Sequence, residues 1–199
     1  PMTIKDSLDT KGVRTTWATQ GRKGFVPTED ATLVRRLKEA GAVLIGKTNT
    51  PEFTLAPDTD NLVYGRTNNP FDLSKSPGGS SGGAAAIISA CGSYFDIGSD
   101  TGGSIRMPAH CCGIAGIKPT SGRVPRTGHC ISYAHGPTES LTQNGPMSRW
   151  VEDLLPILKI ISGPDWLDPF IVPIGYGNEE MPIDNLKVAF HTNNKLMEP

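Results

Sequence analysis

The chain has 199 residues, 37% of them hydrophobic, and its 23 glycines and 17 prolines make up about a fifth of the total. Its formal net charge is −1, with basic and acidic residues interleaved. These values exclude a disordered composition and the basic surface typical of nucleic-acid binding. No apolar run approaches the roughly 20 residues that span a bilayer. We therefore expect a packed globular chain in the cytoplasm, with no membrane partner.

A helix followed by a strand is the first predicted unit. Either Thr28 or Asp30 can cap a helix over ATLVRRLKEAG, and Gly41 ends it. The apolar face of this helix consists of Leu33, Val34, Leu37 and Ala40. The sequence AVLIG at residues 42–46 then predicts a short buried strand.

A second helix and strand follow a long loop at residues 56–79. Residues 84–91 are small and apolar, which is typical of a buried helix, and Gly92 breaks it. Residues 94–97 predict a strand that leads into the sequence DTGGS. This repeated alternation of helix and strand indicates the α/β class.

The last third of the chain predicts one more helix and one more strand. The helical stripe consists of Val151, Leu154, Leu155, Leu158 and Ile161, with a kink expected at Pro156. A long loop at residues 164–185 follows, and residues 186–190 predict a strand.

Two glycine-rich loops that carry serines are the most informative feature of the sequence. They read SPGGSSGG and GSDTGGSIRMPA, and they place Ser80 and Ser104 24 positions apart. Glycines permit positive φ and close backbone approach, so the turn formed by Thr101, Gly102, Gly103 and Ser104 can direct several N–H groups at one point. A tetrahedral oxyanion needs such donors, and Ser104 would lie beside them as a nucleophile.

A serine nucleophile needs a base, and the sequence offers a lysine for this role. None of the histidines stands in a Ser-His-Asp context; they are His110, His129, His135 and His191. Lys5, between Ile4 and Asp6, fits a partly buried position at a strand end, where desolvation can keep a lysine neutral. The Ser80 hydroxyl could relay a proton between Lys5 and Ser104.

Other interpretations of these motifs are less specific. PGGSSGG alone also fits a flexible linker, whereas a phosphate-binding loop would need the GKS/T lysine that this loop lacks. Asp100 can pair with Arg106 or cap the turn, and Arg106 could instead contact a carboxylate. The cysteines lack metal or disulfide spacing and are predicted to be buried, reduced thiols; they are Cys91, Cys111, Cys112 and Cys130.

Five segments together resemble the amidase signature family and cover most of residues 1–163. They are PMTIKDSLDTKG, DATLVRRLKEAGAVLIGKTNTPEF, YGRTNNPFDLSKSPGGSSGGAAA, GSDTGGSIRMPAHCCGIAGIKPTSGRVPRTG and NGPMSRWVEDL. The resemblance implies a Ser–cis-Ser–Lys triad, with Ser104 as nucleophile, Ser80 after a cis peptide bond as bridging serine, and Lys5 as base. It also implies an oxyanion hole and three supporting residues. The hole is formed by Thr101, Gly102, Gly103 and Ser104, and the supporting residues are Ser81, Asp100 and Arg106.

The fold that the resemblance implies is a mixed β-sheet sandwiched between helical layers. We expect residues 1–199 to form a single catalytic segment of that fold, truncated at both ends relative to the family. The sequence departs from the family in the elaborate run HCISYAHGPTESLTQNGP and in Pro156, which interrupts a helix that is usually smoother.

The activity implied is hydrolysis of a small-molecule carboxylic amide to an acid and an amine or ammonia, through an acyl-enzyme and without a metal or organic cofactor. One alternative is the glutaminase-type A subunit of a tRNA-dependent amidotransferase, which would need partner subunits and would bring the chain to nucleic acid. Another is a non-catalytic interaction module derived from the fold, against which the intact Lys5, Ser80 and Ser104 argue. A homodimer stays open.

Overall fold

A single mixed sheet organises the chain, whose computed structural model describes residues 1–131 and 140–177 together with Asp184 and Lys187. Its strands are β1 (Met2–Lys5), β2 (Leu44–Thr48), β3 (Phe95–Asp100), β4 (Ala115–Gly116) and β5 (Gln143–Ser148). The strand order is β2-β1-β3-β5-β4. Strands β2, β1 and β3 run parallel, and β5 pairs antiparallel with both β3 and β4.

Helices cover both faces of this sheet. They are α1 (Thr32–Glu39), α2 (Gly82–Ser89), α3 (Arg106–Cys112) and α4 (Leu154–Ile161). One apolar cluster joins α1 and α4 to β1 through residues such as Leu33, Ile161 and Ile4. The other joins α2 and α3 to β5 through Ile88, Cys112 and Met147. The predicted α/β fold, a mixed sheet between helical layers, is therefore confirmed.

Alternation along β1 directs its last residue toward α2. Met2 and Ile4 belong to the cluster under α1 and α4. Successive side chains of a strand point to opposite faces, so Thr3 and Lys5 face the other helical layer. The strand therefore delivers a lysine to the loop that precedes α2.

The first helix follows the prediction and terminates before Gly41, but its N-terminal cap and the exposure of Ala40 differ from it. Leu33, Val34 and Leu37 are buried, whereas Ala40 is exposed. The residue before α1 is Ala31, which has no side chain to cap the helix. Asp30 is instead engaged by the Lys11 amide and the Lys38 ammonium, so neither predicted capping residue caps the helix.

Strand β2 lies at the edge of the sheet and is not the buried strand predicted. It spans Leu44–Thr48, two residues later than expected, and Val43 and Ile45 are 64% and 52% exposed. Within the described residues, β2 pairs only with β1, so its outer side has no neighbouring strand.

Helix α4 is not kinked by its proline. Pro156 is the third residue of the helix, where a backbone N–H has no carbonyl acceptor, so its missing donor costs nothing. The prediction of the buried face was partly wrong. Ile157 is buried, while Val151 belongs to the preceding 3₁₀ turn (Val151–Asp153) and is exposed, and Leu155 is 37% exposed.

Helix α2 begins two residues before its predicted start because glycines allow it to lie against other backbone. A Cβ on Gly82 would collide with Thr59, and one on Gly83 would collide with the backbone of Asn49. The predicted strand at 94–97 extends through Asp100 as β3. Helix α3 and strands β4 and β5 were not predicted, and the strand predicted at 186–190 falls outside the described residues. None of the helices described is long and apolar enough to cross a membrane.

Candidate active site

Lys5 lies at the end of β1, surrounded by serine hydroxyls. Its Nζ donates to Ser80 Oγ at 2.7 Å and to Ser81 Oγ and Ser99 Oγ at 2.9 Å each. Lys5 was predicted to be partly buried, but no part of it reaches solvent. The hydroxyls are therefore the polar environment of a fully desolvated amine.

This burial changes the charge state of the lysine. Desolvation lowers the pKa of Lys5 from 10.5 to about 7, although the carboxylates of Asp96 and Asp100 act in the opposite direction. A lysine with such a pKa is largely neutral in mildly alkaline solution, and its lone pair can then accept a proton.

The loop before α2 supplies two of these serines. The Gly79–Ser80 peptide bond is cis, as the resemblance implies. A Cβ on Gly79 would lie 2.8 Å from the Pro57 carbonyl carbon and 2.9 Å from the Asp58 amide nitrogen, so this loop lies against residues 57–58. The Ser81 amide donates to the Ser104 carbonyl at 3.2 Å, which ties the loop to the second glycine-rich turn.

The carboxylate of Asp100 organises that second turn. It accepts hydrogen bonds from the amides of Gly103, Ile105 and Arg106 and from the Arg106 guanidinium, which binds through both Nε and Nη2. Burial acts to raise the pKa of Asp100, but these hydrogen bonds outweigh it and lower the pKa to about 2. Asp100 therefore both pairs with Arg106 and caps the turn, so the two alternatives occur together.

In this turn some backbone N–H groups have no acceptor within the described chain, and one donates to Asp100. Gly103, with φ of +123°, gives its N–H to Asp100 at 2.8 Å. The N–H groups of Thr101, Gly102 and Ser104 donate to no other residue of the described chain, nor does the Ser104 hydroxyl. The free donors and the hydroxyl of Ser104 belong to one short turn.

A cleft of about 640 Å³ opens onto this turn. Its lining includes Gly79 and residues 101–104, so it meets both glycine-rich loops. Six apolar side chains form what we term the apolar wall: Phe53, Leu55, Ala56, Pro57, Met107 and Ile131. The cleft gives a ligand access to Ser104, whereas Lys5 stays behind it in the core.

Sequence reasoning missed three residues around Lys5. Ser99 supplies the third hydroxyl contact, and Cys130 lines the cleft. Asp96 is fully buried, and it accepts from the Lys5 amide at 3.0 Å and from Thr48 Oγ1 at 2.9 Å. Burial raises the pKa of Asp96 to about 6. A carboxylate within the apolar stretch FDIG was a signal in the sequence, because a buried charge needs a partner.

The cysteines and histidines do not form a second centre in the described structure. All four cysteines are free, but only Cys112 and Cys130 are buried; Cys91 is exposed and Cys111 half-buried, which corrects the prediction. Of the histidines, His110 is exposed and His129 buried. Residues 1–131 and 140–177 contain no group of three or more His, Cys, Asp or Glu side chains that could hold a metal ion.

Comparison with known proteins places this chain in a family. The model of the Amidase family matches residues 1–195. The A subunit of the glutamyl-tRNA(Gln) amidotransferase from Moorella thermoacetica is 52% identical over 168 residues, which cover 84% of this chain and 34% of that protein. The chain thus spans about a third of the length of the curated relatives that it matches.

Solved structures show the same relationship. The crystal structure of the glutamyl-tRNA(Gln) amidotransferase A subunit from Thermotoga maritima is 42% identical, with a TM-score of 0.81 over 88% of this chain and 38% of that one. A 6-aminohexanoate cyclic dimer hydrolase complexed with substrate is 35% identical, with a TM-score of 0.82 over 88% of this chain and 36% of that one. The sequence match and the shared fold agree: the chain belongs to the amidase family.

Proposed function

We propose that this chain carries the catalytic centre of a serine amidohydrolase that cleaves a carboxylic amide into an acid and an amine or ammonia. The observation that carries the proposal is the 2.7 Å contact between Ser80 Oγ and a fully buried lysine amine whose pKa is about 7. Family membership supports hydrolysis of a C–N amide bond. Because the chain spans about a third of its relatives' length, the activity of the whole protein is part of the proposal.

The hydrogen bonds around Lys5 support a path for the proton. The Ser81 hydroxyl donates to the Ser99 carbonyl at 3.3 Å, so it serves Lys5 as an acceptor. The hydroxyl hydrogens of Ser80 and Ser99 have no such commitment in the described structure. Ser80 makes the shorter contact of the two, at 2.7 Å, and a neutral Lys5 can accept its hydrogen. In the proposed mechanism Lys5 takes the proton of Ser80, and Ser80 in turn takes the proton of Ser104. No hydrogen bond joins Ser80 to Ser104 in the described part of the chain, so the second transfer is supported by the family resemblance and by the 3.2 Å backbone contact that joins the two loops.

The nucleophilic step then takes place in the cleft. Ser104 Oγ attacks the amide carbonyl, and the free N–H groups of Thr101, Gly102 and Ser104 stabilise the oxyanion. The amide of Gly103 holds the turn through Asp100 and makes no direct contribution in this arrangement. The relay returns the proton to the leaving amine, and water releases the acid from the acyl-enzyme.

Covalent labelling tests this proposal directly. A fluorophosphonate should react with Ser104, because the turn amides stabilise the tetrahedral adduct as they stabilise the intermediate. Peptide mapping of the labelled protein should find the adduct on Ser104 and not on Ser80 or Ser81. Labelling of another serine or of a cysteine, or none at all in the folded protein, would refute the assignment.

A second candidate function is favoured by the names of the relatives. Several are A subunits of glutamyl-tRNA(Gln) amidotransferases, with identities of 46–52%. A protein of this kind would release ammonia from glutamine with the same residues and would depend on partner subunits. Co-purification of partners together with preferential hydrolysis of glutamine would identify this function; a free-standing hydrolase shows neither.

A further inference from the structure

We propose that the apolar wall is the acyl-binding surface of this site, and that it selects amides whose acyl group is uncharged and apolar over glutamine. The inference rests on the proposed function and names its substrate class. This substrate class differs from glutamine, the substrate of the second candidate function above.

The first argument is the chemistry of the cleft. None of the described side chains that line it carries a charge at neutral pH. Glutamine carries both a carboxylate and an ammonium group, and moving a charge out of water without a partner is costly. An alkyl or aryl group instead gains from leaving water beside Phe53, Leu55 and Met107.

The charges of Lys5 and Asp100 near Ser104 are not available to a ligand, and Arg106, although 58% exposed, does not line the cleft. Lys5 is fully buried and has three hydroxyl partners. The Asp100 carboxylate is bound by three amides and by Nε and Nη2 of Arg106. Each charge is therefore committed to the structure of the site.

A second cleft in the same molecule provides a contrast. It measures about 490 Å³, and its lining includes Asp6, Arg14, Lys47 and Arg66. Charged side chains thus cluster in one described cleft and are absent from the described lining of the one that reaches Ser104. The apolar character of the Ser104 cleft is local and does not reflect the composition of the chain.

The backbone conformation of the apolar wall indicates that its surface is fixed. Phe53 and Thr54 have φ of 50° and 62°, a region that non-glycine residues rarely occupy and that costs free energy. The Phe53 amide donates to the Trp17 carbonyl at 2.9 Å, and the two rings lie 6.4 Å apart between centroids. Because strained backbone persists only where its surroundings enforce it, the wall presents a fixed surface to a ligand.

Matched substrates test the inference with the full-length chain. Pentanamide and glutaramate have the same length and differ only in a terminal methyl group or carboxylate, and glutamine adds an ammonium group to glutaramate. We expect kcat/KM for pentanamide to exceed that for glutaramate by about 100-fold, the scale of an uncompensated charge in an apolar site. Along acetamide, butanamide and hexanamide, kcat/KM should rise about fourfold per buried methylene. A kcat/KM for glutamine equal to or above that for pentanamide would overturn the inference.

A wall variant shows whether this surface is responsible. Met107 lies on α3 next to the turn, and Met107→Lys places a cation in the wall without changing helix propensity much. We expect the ratio of kcat/KM for pentanamide to kcat/KM for glutaramate to fall about tenfold, because the new ammonium can pair with the glutaramate carboxylate. Met107→Leu should keep the wild-type ratio, and so should Leu73→Lys, an exposed position outside the cleft. An unchanged ratio in folded Met107→Lys would contradict the assignment of the wall.

Labelling separates failure of the inference from failure of the proposed function. If turnover is slow, each amide can be scored by the concentration that protects Ser104 from the fluorophosphonate. Protection by glutamine at lower concentration than pentanamide refutes the apolar preference and leaves the nucleophile intact. Absence of labelling on Ser104 refutes the proposed function and, with it, the inference.

Discussion

Two lysines on neighbouring strands both have lowered pKa values but differ in burial and in chemistry, since Lys5 is fully buried and Lys47 is half-buried. Lys5 ends β1, and Lys47 lies in β2, where it pairs in register with Ile4. Burial lowers the pKa of Lys5 to about 7 and that of Lys47 to about 8. By pKa alone, either residue could be chosen as a base.

Their hydrogen-bond partners separate them. Lys47 donates to the Leu8 carbonyl and to the hydroxyls of Thr10 and Thr15, and these threonines give their own hydrogens to the carbonyls of Leu8 and Val13. All three partners are acceptors, so they suit an ammonium group with three hydrogens. Lys5 contacts Ser80, whose hydrogen is uncommitted. Burial therefore shifts a lysine pKa, but the partner decides whether the amine can act as a base.

The largest effect is expected from removing Ser104, the proposed nucleophile, whose proton the Lys5–Ser80 pair would accept. Ser104→Ala should lower kcat by roughly 10⁴- to 10⁶-fold, as loss of a serine nucleophile does in other hydrolases, with the melting temperature little changed. Steady-state kinetics and circular dichroism check both statements, with exposed Ser74→Ala as the control. Turnover near the wild-type rate in folded Ser104→Ala would show that Ser104 is not the nucleophile. The role as a base that distinguishes Lys5 from Lys47 would then lose its support.

Replacing each lysine by methionine tests the comparison itself. Lys5→Met should lower kcat/KM by about 10²- to 10⁴-fold, the usual contribution of a general base. Lys47→Met should keep kcat/KM within a few-fold but reduce the free energy of unfolding by about 1–3 kcal/mol, because buried acceptors lose their donor. Kinetics and chemical denaturation of both variants measure the pattern. Equal losses of activity would show that the hydrogen-bond argument fails.

A smaller effect is expected on the pH dependence. Because the proposed mechanism needs a neutral Lys5, kcat/KM should rise with pH up to about 7 and level off above it. The Asp96 carboxylate raises the pKa of Lys5, so Asp96→Asn removes that charge and should move the break to lower pH. Thr48→Val, which removes a hydrogen bond to Asp96 but leaves its charge, should move the break less. A shift to higher pH in Asp96→Asn would contradict the electrostatic account.

The smallest effect is expected at Arg106. Its side chain is 58% exposed, so its ion pair with buried Asp100 is largely solvated on one side. Arg106→Gln should reduce the free energy of unfolding by about 1 kcal/mol or less and kcat/KM by a few-fold, since Asp100 keeps its three amide donors. Urea denaturation and kinetics measure these changes. A loss comparable to that of Lys5→Met would assign Arg106 a larger part in the site.

The sequence predicted the elements whose signals are local. Leu33, Val34 and Leu37 repeat with helical period, and α1 forms there. Strand β5 reads QNGPMS, and its glycine and proline are unfavourable in strands. It forms because β3 pairs with it along its whole length, and Gly145 leaves room beside the Ile117 carbonyl. Nothing within six residues could reveal that pairing.

The site was predictable in its motifs but not in its surroundings. The two glycine-rich loops indicated Ser80 and Ser104, and the place of Lys5 beside an apolar residue indicated a base. The contacts of Ser99 and Asp96 depend on how β1 and β3 lie side by side, since Asp96 pairs in register with Thr3. Register between distant strands is a tertiary property, so Ser99 had no local signal of its role, and the apolar surroundings of Asp96 indicated a buried charge but not its partner.

The glycines that open α2 have a consequence for any mutational screen of this protein. The obstacle to a side chain at Gly83 is the backbone of Asn49, which no rotamer change can move aside. Even an alanine there must push α2 away from the sheet, and the serine pair just before the helix would move with it. Substitutions at positions 82 and 83 would therefore reduce activity in a selection, although neither residue takes part in the proposed proton transfer. A library that leaves both glycines unchanged would avoid the variants in which α2 is displaced.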